Sequence, residues 1–151
     1  MPQAQLLREH AFTQGLSEAQ IQTLAKIATP VTFDEDQLIL VDGARSRWFY
    51  LLSSGSVVVE LRTAQCVIAV QALGPGKVFG WSALLDEQDT LFRVRTRETT
   101  SAIQIDGATL KAECMRDTAL GAELFHRVLS VVAGRVKATE VRLAEMCGIK
   151  V

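Results

Sequence analysis

Residues 73–85, with the sequence LGPGKVFGWSALL, contain the most specific local pattern in the chain. A glycine-containing turn precedes a short apolar run, and Gly80 then opens a stretch that favours a turn of helix. The first amides of a helix have no intrahelical acceptor, and the helix dipole adds partial positive charge there. We therefore predict an anion site of phosphate size on this turn, built from Gly80, Trp81, Ser82, Ala83 and Leu84.

Three arginines alternate with other residues in the segment LFRVRTRE, residues 91–98. Because successive side chains of a strand point to opposite faces, Arg93, Arg95 and Arg97 share one face. If that face lines the anion site, Arg93 or Arg95 supplies its positive charge. The alternative is an outer face whose arginines pair with the acidic residues of segment 86–89.

The sequence contains no catalytic or metal-binding pattern. The two histidines, His10 and His126, are far apart, and neither has a second histidine, cysteine or paired carboxylate at ligand spacing. Ser82 does not lie in a G-x-S-x-G elbow. The three cysteines are widely spaced, which favours reduced thiols in the cytoplasm over a disulfide framework. We therefore expect neither an enzyme nor a metal site.

Charge and hydropathy argue against two classes of partner. Sixteen Lys and Arg residues against 17 Asp and Glu residues give a net charge of -1, so the basic excess that attracts nucleic acid or an anionic membrane is missing. No apolar run approaches the ~18 residues of a transmembrane helix. With 151 residues, 48% of them hydrophobic, the chain can form one domain with a packed core. We expect a cytoplasmic protein that binds neither membranes nor nucleic acid directly.

Short runs rich in β-branched and aromatic residues follow Pro30 and are separated by turn residues. These runs are residues 31–33, 38–41, 48–52, 56–61, 66–73, 78–80, 91–96 and 101–106. Before them, Ser17 and Gln20 predict a capping box for a helix over residues 18–28, which Pro30 ends. After them come helical segments at about 107–115 and 118–147. The order predicts a mainly β fold, a sandwich, jelly roll or small barrel, with flanking helices.

The last helical segment carries two apolar stripes. The longer stripe repeats at heptad spacing and contains Phe125, Leu129, Val132, Val136, Thr139, Leu143 and Met146. The shorter stripe contains Leu124, Val128 and Val131. Because one core needs one stripe, we interpret the shorter stripe as the intrachain contact and the longer stripe as a homodimer interface. The alternative is one broad face buried within a single subunit.

These features resemble the cyclic nucleotide-binding domain of catabolite activator protein and of the regulatory subunits of cyclic-nucleotide-dependent kinases. The resemblance covers about residues 6–146, including the GLSEAQ helix, the DGARSRWFYLLSSGSVVVEL strands, the LGPGKVFG approach and the final helix. It implies a single domain whose jelly roll, a double-stranded β-helix, spans residues 31–106 and holds a phosphate-binding cassette at 76–91. An N-terminal helical part (1–30) and C-terminal helices (107–151) complete it.

In that family the cassette holds the cyclic phosphate on backbone amides, a glutamate binds the ribose, and an arginine neutralises the phosphate. In this chain Trp81 stands at the glutamate position, Thr90 at the arginine position, and Leu91 where a small hydroxyl residue usually follows. Thr139 falls where the family caps the purine. Losing two charge-assisted hydrogen bonds weakens binding by roughly two to four decades. We therefore expect weak nucleotide binding, with Trp81 either stacking on the ligand or filling its cavity.

The sequence FGWSAL, residues 79–84, is similar to that of small stand-alone bacterial domains of this superfamily. We predict a non-enzymatic regulatory or sensor module that binds a small anionic or nucleotide-like ligand and signals to a protein partner through a dimer helix. Apart from a cyclic nucleotide, no cofactor is expected. One alternative is an interaction module whose pocket is sealed by Trp81 and Leu91. Another is the effector domain of a transcription regulator if the chain is truncated. The CGIKV that follows Met146 leaves no room for a helix-turn-helix in this sequence, so DNA binding would need a further segment.

Overall fold

The computed structural model describes residues 2–85 and 91–150. Within them, eight strands pair antiparallel in two four-stranded sheets, ordered β1-β8-β3-β6 and β2-β7-β4-β5. The strands are β1 Ala28–Phe33, β2 Leu38–Leu40, β3 Trp48–Ser54, β4 Val57–Arg62, β5 Val67–Leu73, β6 Val78–Phe79, β7 Phe92–Thr96 and β8 Thr100–Asp106. The prediction of a mainly β jelly roll with flanking helices is confirmed.

The helices of the described part are α1 Pro2–Glu9, α2 Glu18–Ala25, α3 Gly107–Arg116 and α4 Thr118–Met146, with 3₁₀ turns at Ala11–Thr13 and Trp81–Leu84. The predicted capping box is present, because the Gln20 amide donates to Ser17 Oγ at 3.1 Å and the Ser17 amide to Gln20 Oε1 at 2.9 Å. The predicted end of α2 was wrong. Pro30 lies inside β1, an edge strand that pairs only with β8 in the described part and tolerates a residue without an N–H.

The first sheet is buried on both faces. Alternate residues of β3 serve different clusters: Phe49 and Leu51 pack against the helices, while Tyr50 and Leu52 pack between the two sheets. The ring of Tyr50 stacks on that of Phe79 with centroids 4.9 Å apart. Aromatic side chains therefore occupy the space between the sheets, and the continuous WFYLL run reflects burial on both sides.

The segment around His10 is part of the core. His10 is 5% exposed, its Nε2 donates to the Leu52 carbonyl oxygen at 2.8 Å, and its Nδ1 accepts from the Phe12 amide at 3.1 Å. Burial lowers the pKa of His10 below its usual value. The imidazole is therefore a neutral structural link between the N-terminal helices and β3.

The helix α4 continues through Gly134 for 29 residues. The core residues between the first sheet and the helices, which include Phe49 and Leu51, form one cluster, called the helical cluster below. Leu124 is buried in it, and Val128 and Val131 pack against it, as the shorter stripe predicts. Further along, α4 is tied to β5 because Arg142 Nε donates to the Ala69 carbonyl oxygen at 3.1 Å. None of the described helices combines the length and apolar character needed to cross a bilayer.

Candidate functional site

The 3₁₀ turn Trp81–Leu84, called the cassette turn below, is held in place by two glycines. Gly80 precedes the 3₁₀ turn in the left-handed conformation, with φ at 82°, and a Cβ there would lie 2.5 Å from the Trp48 carbonyl oxygen. On the other side of the turn, a Cβ on Gly107 would lie 2.3 Å from the Ala83 carbonyl oxygen. The turn is therefore packed tightly between β3 and the start of α3, which fixes the direction of its amides.

Fewer amides are available on this turn than sequence analysis predicted. The Ala83 amide donates to the Gly80 carbonyl oxygen at 3.1 Å, because a 3₁₀ turn closes its hydrogen bonds one residue earlier than an α-helix. The amides of Trp81 and Ser82 donate to no backbone carbonyl of residues 2–85 and 91–150. Leu84 is buried in the helical cluster and supports the turn from beneath. An anion here would therefore contact the amides of Trp81 and Ser82.

A buried arginine that sequence analysis missed faces these amides. A small cavity beside the turn is lined by Leu40, Phe79, Gly80, Trp81, Ser82, Phe92, Val94 and Arg135. Arg135 comes from α4 and is 7% exposed. Its Nε donates to Gln71 Oε1 on β5 at 2.7 Å, and its Cζ lies 5.7 Å from the centroid of the Phe92 ring. The long helix thus brings a guanidinium to the cassette from across the barrel.

The charge of Arg135 has no carboxylate partner within the described residues. Burial lowers its pKa to about 10, so the guanidinium remains protonated at neutral pH. A buried cation without a counter-charge is costly, and the hydrogen bond to Gln71 together with the ring of Phe92 offsets part of that cost. The site is therefore electropositive and would favour an anion.

The cavity has a volume of about 20 Å³. That is room for about one water molecule, whereas cavities that hold drug-sized ligands usually measure about 300–1,000 Å³. The aromatic residues between the sheets and the side chain of Arg135 take up the remaining space. In this conformation the cavity is too small for phosphate as well as for a nucleotide, so either ligand would require the side chains around the cavity to move.

The family comparison agrees with the fold and with the position of the cassette. Residues 30–117 match the family model described as the cyclic nucleotide-binding domain. The chain belongs to this family.

The chain is similar to known structures and to one further sequence. A cyclic nucleotide-binding domain from Methylobacillus flagellatus is 14% identical over 95% of this chain and 82% of its own, with a TM-score of 0.79. The regulatory subunit of a cAMP-independent protein kinase A from Trypanosoma brucei, as a triple mutant bound to cAMP, is 19% identical over 94% of this chain and 49% of its own, with a TM-score of 0.71. Glutaminase 2 of Bradyrhizobium diazoefficiens is 31% identical over 80 residues, which are 53% of this chain and 12% of that protein.

The arginines of β7 lie outside the cavity of this cyclic nucleotide-binding domain, so the expectation that Arg93 lines the cassette was wrong. Val94 faces the space between the sheets, and Arg93 therefore projects from the opposite face. Arg93 Nε lies 3.0 Å from Glu60 Oε1, and Arg95 Nη1 lies 3.1 Å from Asp36 Oδ1. The arginines lie on the outer face, as the alternative predicts, and their described partners come from β4 and the turn before β2. The acidic residues of segment 86–89, which the alternative named as partners, lie outside the described residues.

The residues at the positions of the family's charged contacts are dispersed. Trp81 lines the cavity edge and packs against the helical cluster. Leu91 is 74% exposed and cannot seal the pocket as the alternative reading required. Thr90 lies outside the described residues. Thr139 does not line the cavity, and its Oγ1 donates to the Arg135 carbonyl oxygen at 2.8 Å within α4.

A signal for Arg135 was present in the sequence. Leu124, Val128, Val131 and Arg135 follow one another at spacings of 4, 3 and 4, so Arg135 continues the intrachain stripe of α4. A cation at a core-facing position of an amphipathic helix is unusual. Its acceptor on β5 is 64 residues away in the sequence, and no local pattern connects the two.

The longer stripe of α4 is exposed in the single chain. Leu129 is 65% exposed, Val136 51%, Leu143 62% and Met146 57%, while Val132 is half-buried. Near its first turns the stripe borders an apolar groove of about 530 Å³ that also includes Trp81 and Leu85. The apolar surface on α4 is therefore not used by the core of this subunit.

Proposed function

We propose that this cyclic nucleotide-binding domain is a non-enzymatic regulatory module that binds a small anion between the cassette turn and α4. The observation that carries the proposal is the buried guanidinium of Arg135, which lines the same cavity as Gly80 and Ser82 without a carboxylate among the described residues. An anion on the amides of Trp81 and Ser82 would supply the missing counter-charge. Arg135 then takes the part that the family assigns to an arginine at the position of Thr90.

Phosphate would require the side chain of Arg135 to shift within the cavity, and a nucleotide-like ligand would require movement of α4. The cavity of about 20 Å³ cannot accept a base and a ribose while Arg135 occupies it. Entry would have to displace Arg135 and break its hydrogen bond to Gln71, which joins α4 to β5. Ligand binding and the position of α4 are therefore coupled, and this coupling is the signal that we propose the module transmits.

The relative from Trypanosoma brucei supports the view that cassette chemistry governs nucleotide binding. The name of that protein calls it cAMP-independent, and the mutant described as bound to cAMP carries arginine in place of a threonine, with alanine in place of a glutamate and of a valine. By the family resemblance, this chain has Thr90 in place of the cassette arginine and Leu91 in place of the small hydroxyl residue that follows it. We therefore propose that cyclic mononucleotides are poor ligands of the native chain.

A test of the anion site compares inorganic phosphate binding in the native protein, in Arg135→Gln and in the control Lys137→Gln. Lys137 is exposed on the same helix, so its variant removes equal charge outside the cavity. Phosphate at about 100 times its dissociation constant stabilises the folded state by about 2.7 kcal/mol, a rise of several degrees in thermal midpoint. We expect this rise in the native protein and in Lys137→Gln and its loss in Arg135→Gln. An equal response of all three proteins would contradict the anion site.

We further propose that the module is a homodimer formed through the exposed stripe of α4. The observation in its favour is the row of apolar side chains, from Leu129 to Met146, that stays more than half exposed at four positions. Pairing two such stripes would bury them in heptad contacts. A protein partner that reads the dimer surface in the cytoplasm would provide the output. The sedimentation test of this interface is given in the Discussion.

A second candidate function is an interaction module without a small-molecule ligand. The observation that favours it is the small volume of the cavity, about 20 Å³. The aromatic core and Arg135, rather than Leu91, would then close the pocket. This candidate predicts no thermal response of the native protein to phosphate, cyclic AMP or cyclic GMP, so the same titration separates the two functions.

A further inference from the structure

A larger cavity, separate from the cassette, lies where the loop before β3 meets α3. It has a volume of about 630 Å³ and is bounded by residues 45–47, the end of the cassette turn and the first turns of α3. None of its lining residues lines the small cavity beside Gly80. A volume of this size falls in the range of ordinary ligand sites, about 300–1,000 Å³.

One arginine of this cleft is held rigidly. Arg47 Nε lies 3.0 Å from Asp106 Oδ1, and the Arg47 Cζ lies 4.5 Å from the centroid of the Trp48 ring. Asp106 in turn caps α3 by accepting from the Thr109 amide at 3.0 Å. The terminal nitrogens of Arg47 donate to no group of the described part of the chain, and the side chain is 72% exposed. The guanidinium is therefore positioned in advance with donors to spare.

The described residues that line the cleft carry a net positive charge. Arg45 and Lys111 line it together with Arg47, and Asp106 is the carboxylate among the described lining residues. Hydrogen bonds from Arg47 and from Thr109 hold the pKa of Asp106 below its usual value, so its negative charge is already engaged. Arg45 is exposed and has no ion-pair partner in residues 2–85 and 91–150. An anion entering the cleft would meet two arginines.

The cleft also presents apolar side chains. Met115 is 67% exposed and Leu85 is 47% exposed, and both line the cleft beside small alanine residues of α3. Methionine adapts its shape to a partner because its side chain is unbranched and flexible. Exposed apolar groups next to two arginines match a ligand that has an anionic head and an apolar body.

We propose that this cleft is a second ligand site, which binds an amphipathic anion. The phosphate or carboxylate head lies on Arg45 and Arg47, and the apolar chain lies against Leu85 and Met115. The site is independent of the anion site at Arg135, because the two cavities share no lining residue.

The test uses isothermal titration with octyl phosphate below its micelle concentration, and with inorganic phosphate for comparison. We expect octyl phosphate to bind the cleft more tightly than phosphate, because only the alkyl chain can bury Met115. Arg45→Gln should weaken octyl phosphate by about tenfold or more, the size of one charge-assisted hydrogen bond. Met115→Ser should weaken it by about fivefold. The control Arg97→Gln, at an exposed arginine outside the cleft, should change nothing.

Two further variants separate the cleft from a general charge effect and from the cassette. Arg47→Lys keeps the charge beside Asp106 but loses the planar pair of donors, and it should weaken octyl phosphate while the fold is retained. Arg135→Gln should leave octyl phosphate binding unchanged. The proposal is overturned if octyl phosphate binds Arg135→Gln, which lacks the cassette anion site, no more tightly than inorganic phosphate does, if Arg45→Gln behaves like Arg97→Gln, or if only Arg135→Gln abolishes binding.

Discussion

Two faces of α4 differ from their surroundings in opposite ways. The inward face begins with apolar Leu124 and reaches Arg135, a cation that is 7% exposed. The outward face presents Leu129 and Leu143, apolar side chains that are 65% and 62% exposed. A charge in the interior and apolar groups in water both raise the free energy of the isolated subunit. This difference is why we propose two unlike partners for one helix, an anion on one side and a second helix on the other.

The largest expected effect is on the outward face. Val136→Glu or Leu143→Glu should shift sedimentation from dimer to monomer, with the dimer dissociation constant raised by at least about 100-fold, because a buried unpaired charge costs roughly 3 kcal/mol or more. Lys137→Glu, at the neighbouring exposed position, is the matched control and should remain dimeric. An unchanged dimer mass in both stripe variants would contradict the proposed dimer interface on the outward face of α4.

The next effect is on the inward face. Arg135→Met should raise the free energy of unfolding by about 1 kcal/mol in buffer without added anion, because an apolar side chain replaces an uncompensated charge. Gln71 is half-buried and can be hydrated once it loses Arg135. Arg142→Met, which also loses a hydrogen bond to β5 but at an exposed position, should change stability by less than about 0.5 kcal/mol. A destabilised Arg135→Met would mean that the Gln71 bond outweighs the cost of burial.

A smaller effect on stability is expected when the pH is changed, and it comes from His10 rather than from Arg135. Arg135, with a pKa of about 10, does not titrate between about pH 5 and 8. His10 has a pKa lowered by burial from 6.5, so the unfolded chain binds its proton first. Stability is therefore full above about pH 6.5 and falls as the pH falls toward the folded value. Urea denaturation should show this loss in the native protein and a flatter profile in His10→Gln.

The smallest effect is expected at Thr139, which lies near both faces. Its hydroxyl bonds to the Arg135 carbonyl oxygen within α4. Thr139→Val should change stability by less than about 0.5 kcal/mol and leave phosphate binding and dimer mass unchanged. A marked loss of cyclic nucleotide binding in this variant alone would instead support the purine contact that the family resemblance implies.

The strands were predictable because their signals are local. Runs such as residues 48–52 and 101–106 are rich in β-branched and aromatic residues and end at turn residues, and each appears as a strand close to its predicted bounds. The family resemblance implied a helical part over residues 1–30, but the residues alone did not predict α1 as a separate helix, because α1 is stabilised by contacts with the core rather than by its own sequence. Pro30 was read as a helix end, since its edge position in β1 depends on pairing with β8.

The candidate site was predictable only in its backbone. The FGW turn and the need for glycine at position 80 follow from residue types, and the structure places both beside the cavity. Because side chains alternate along a strand, the sequence showed that Arg93 and Arg95 share one face of β7. It did not show whether that face points toward the other sheet or outward. That side was decided by Val94, whose burial between the sheets turns both arginines toward Glu60 and Asp36.

By itself the sequence determined the order of strands and helices, the glycine turn of the cassette and the two stripes of α4, because each of these depends on residues within a few positions of one another. The tertiary structure decided that Arg135 is buried, that the cavity shrinks to about 20 Å³, and that the arginine pair at positions 45 and 47 meets the apolar wall of α3. These features arise from contacts between distant segments, and their energies depend on the space and charge that the packed elements leave between them.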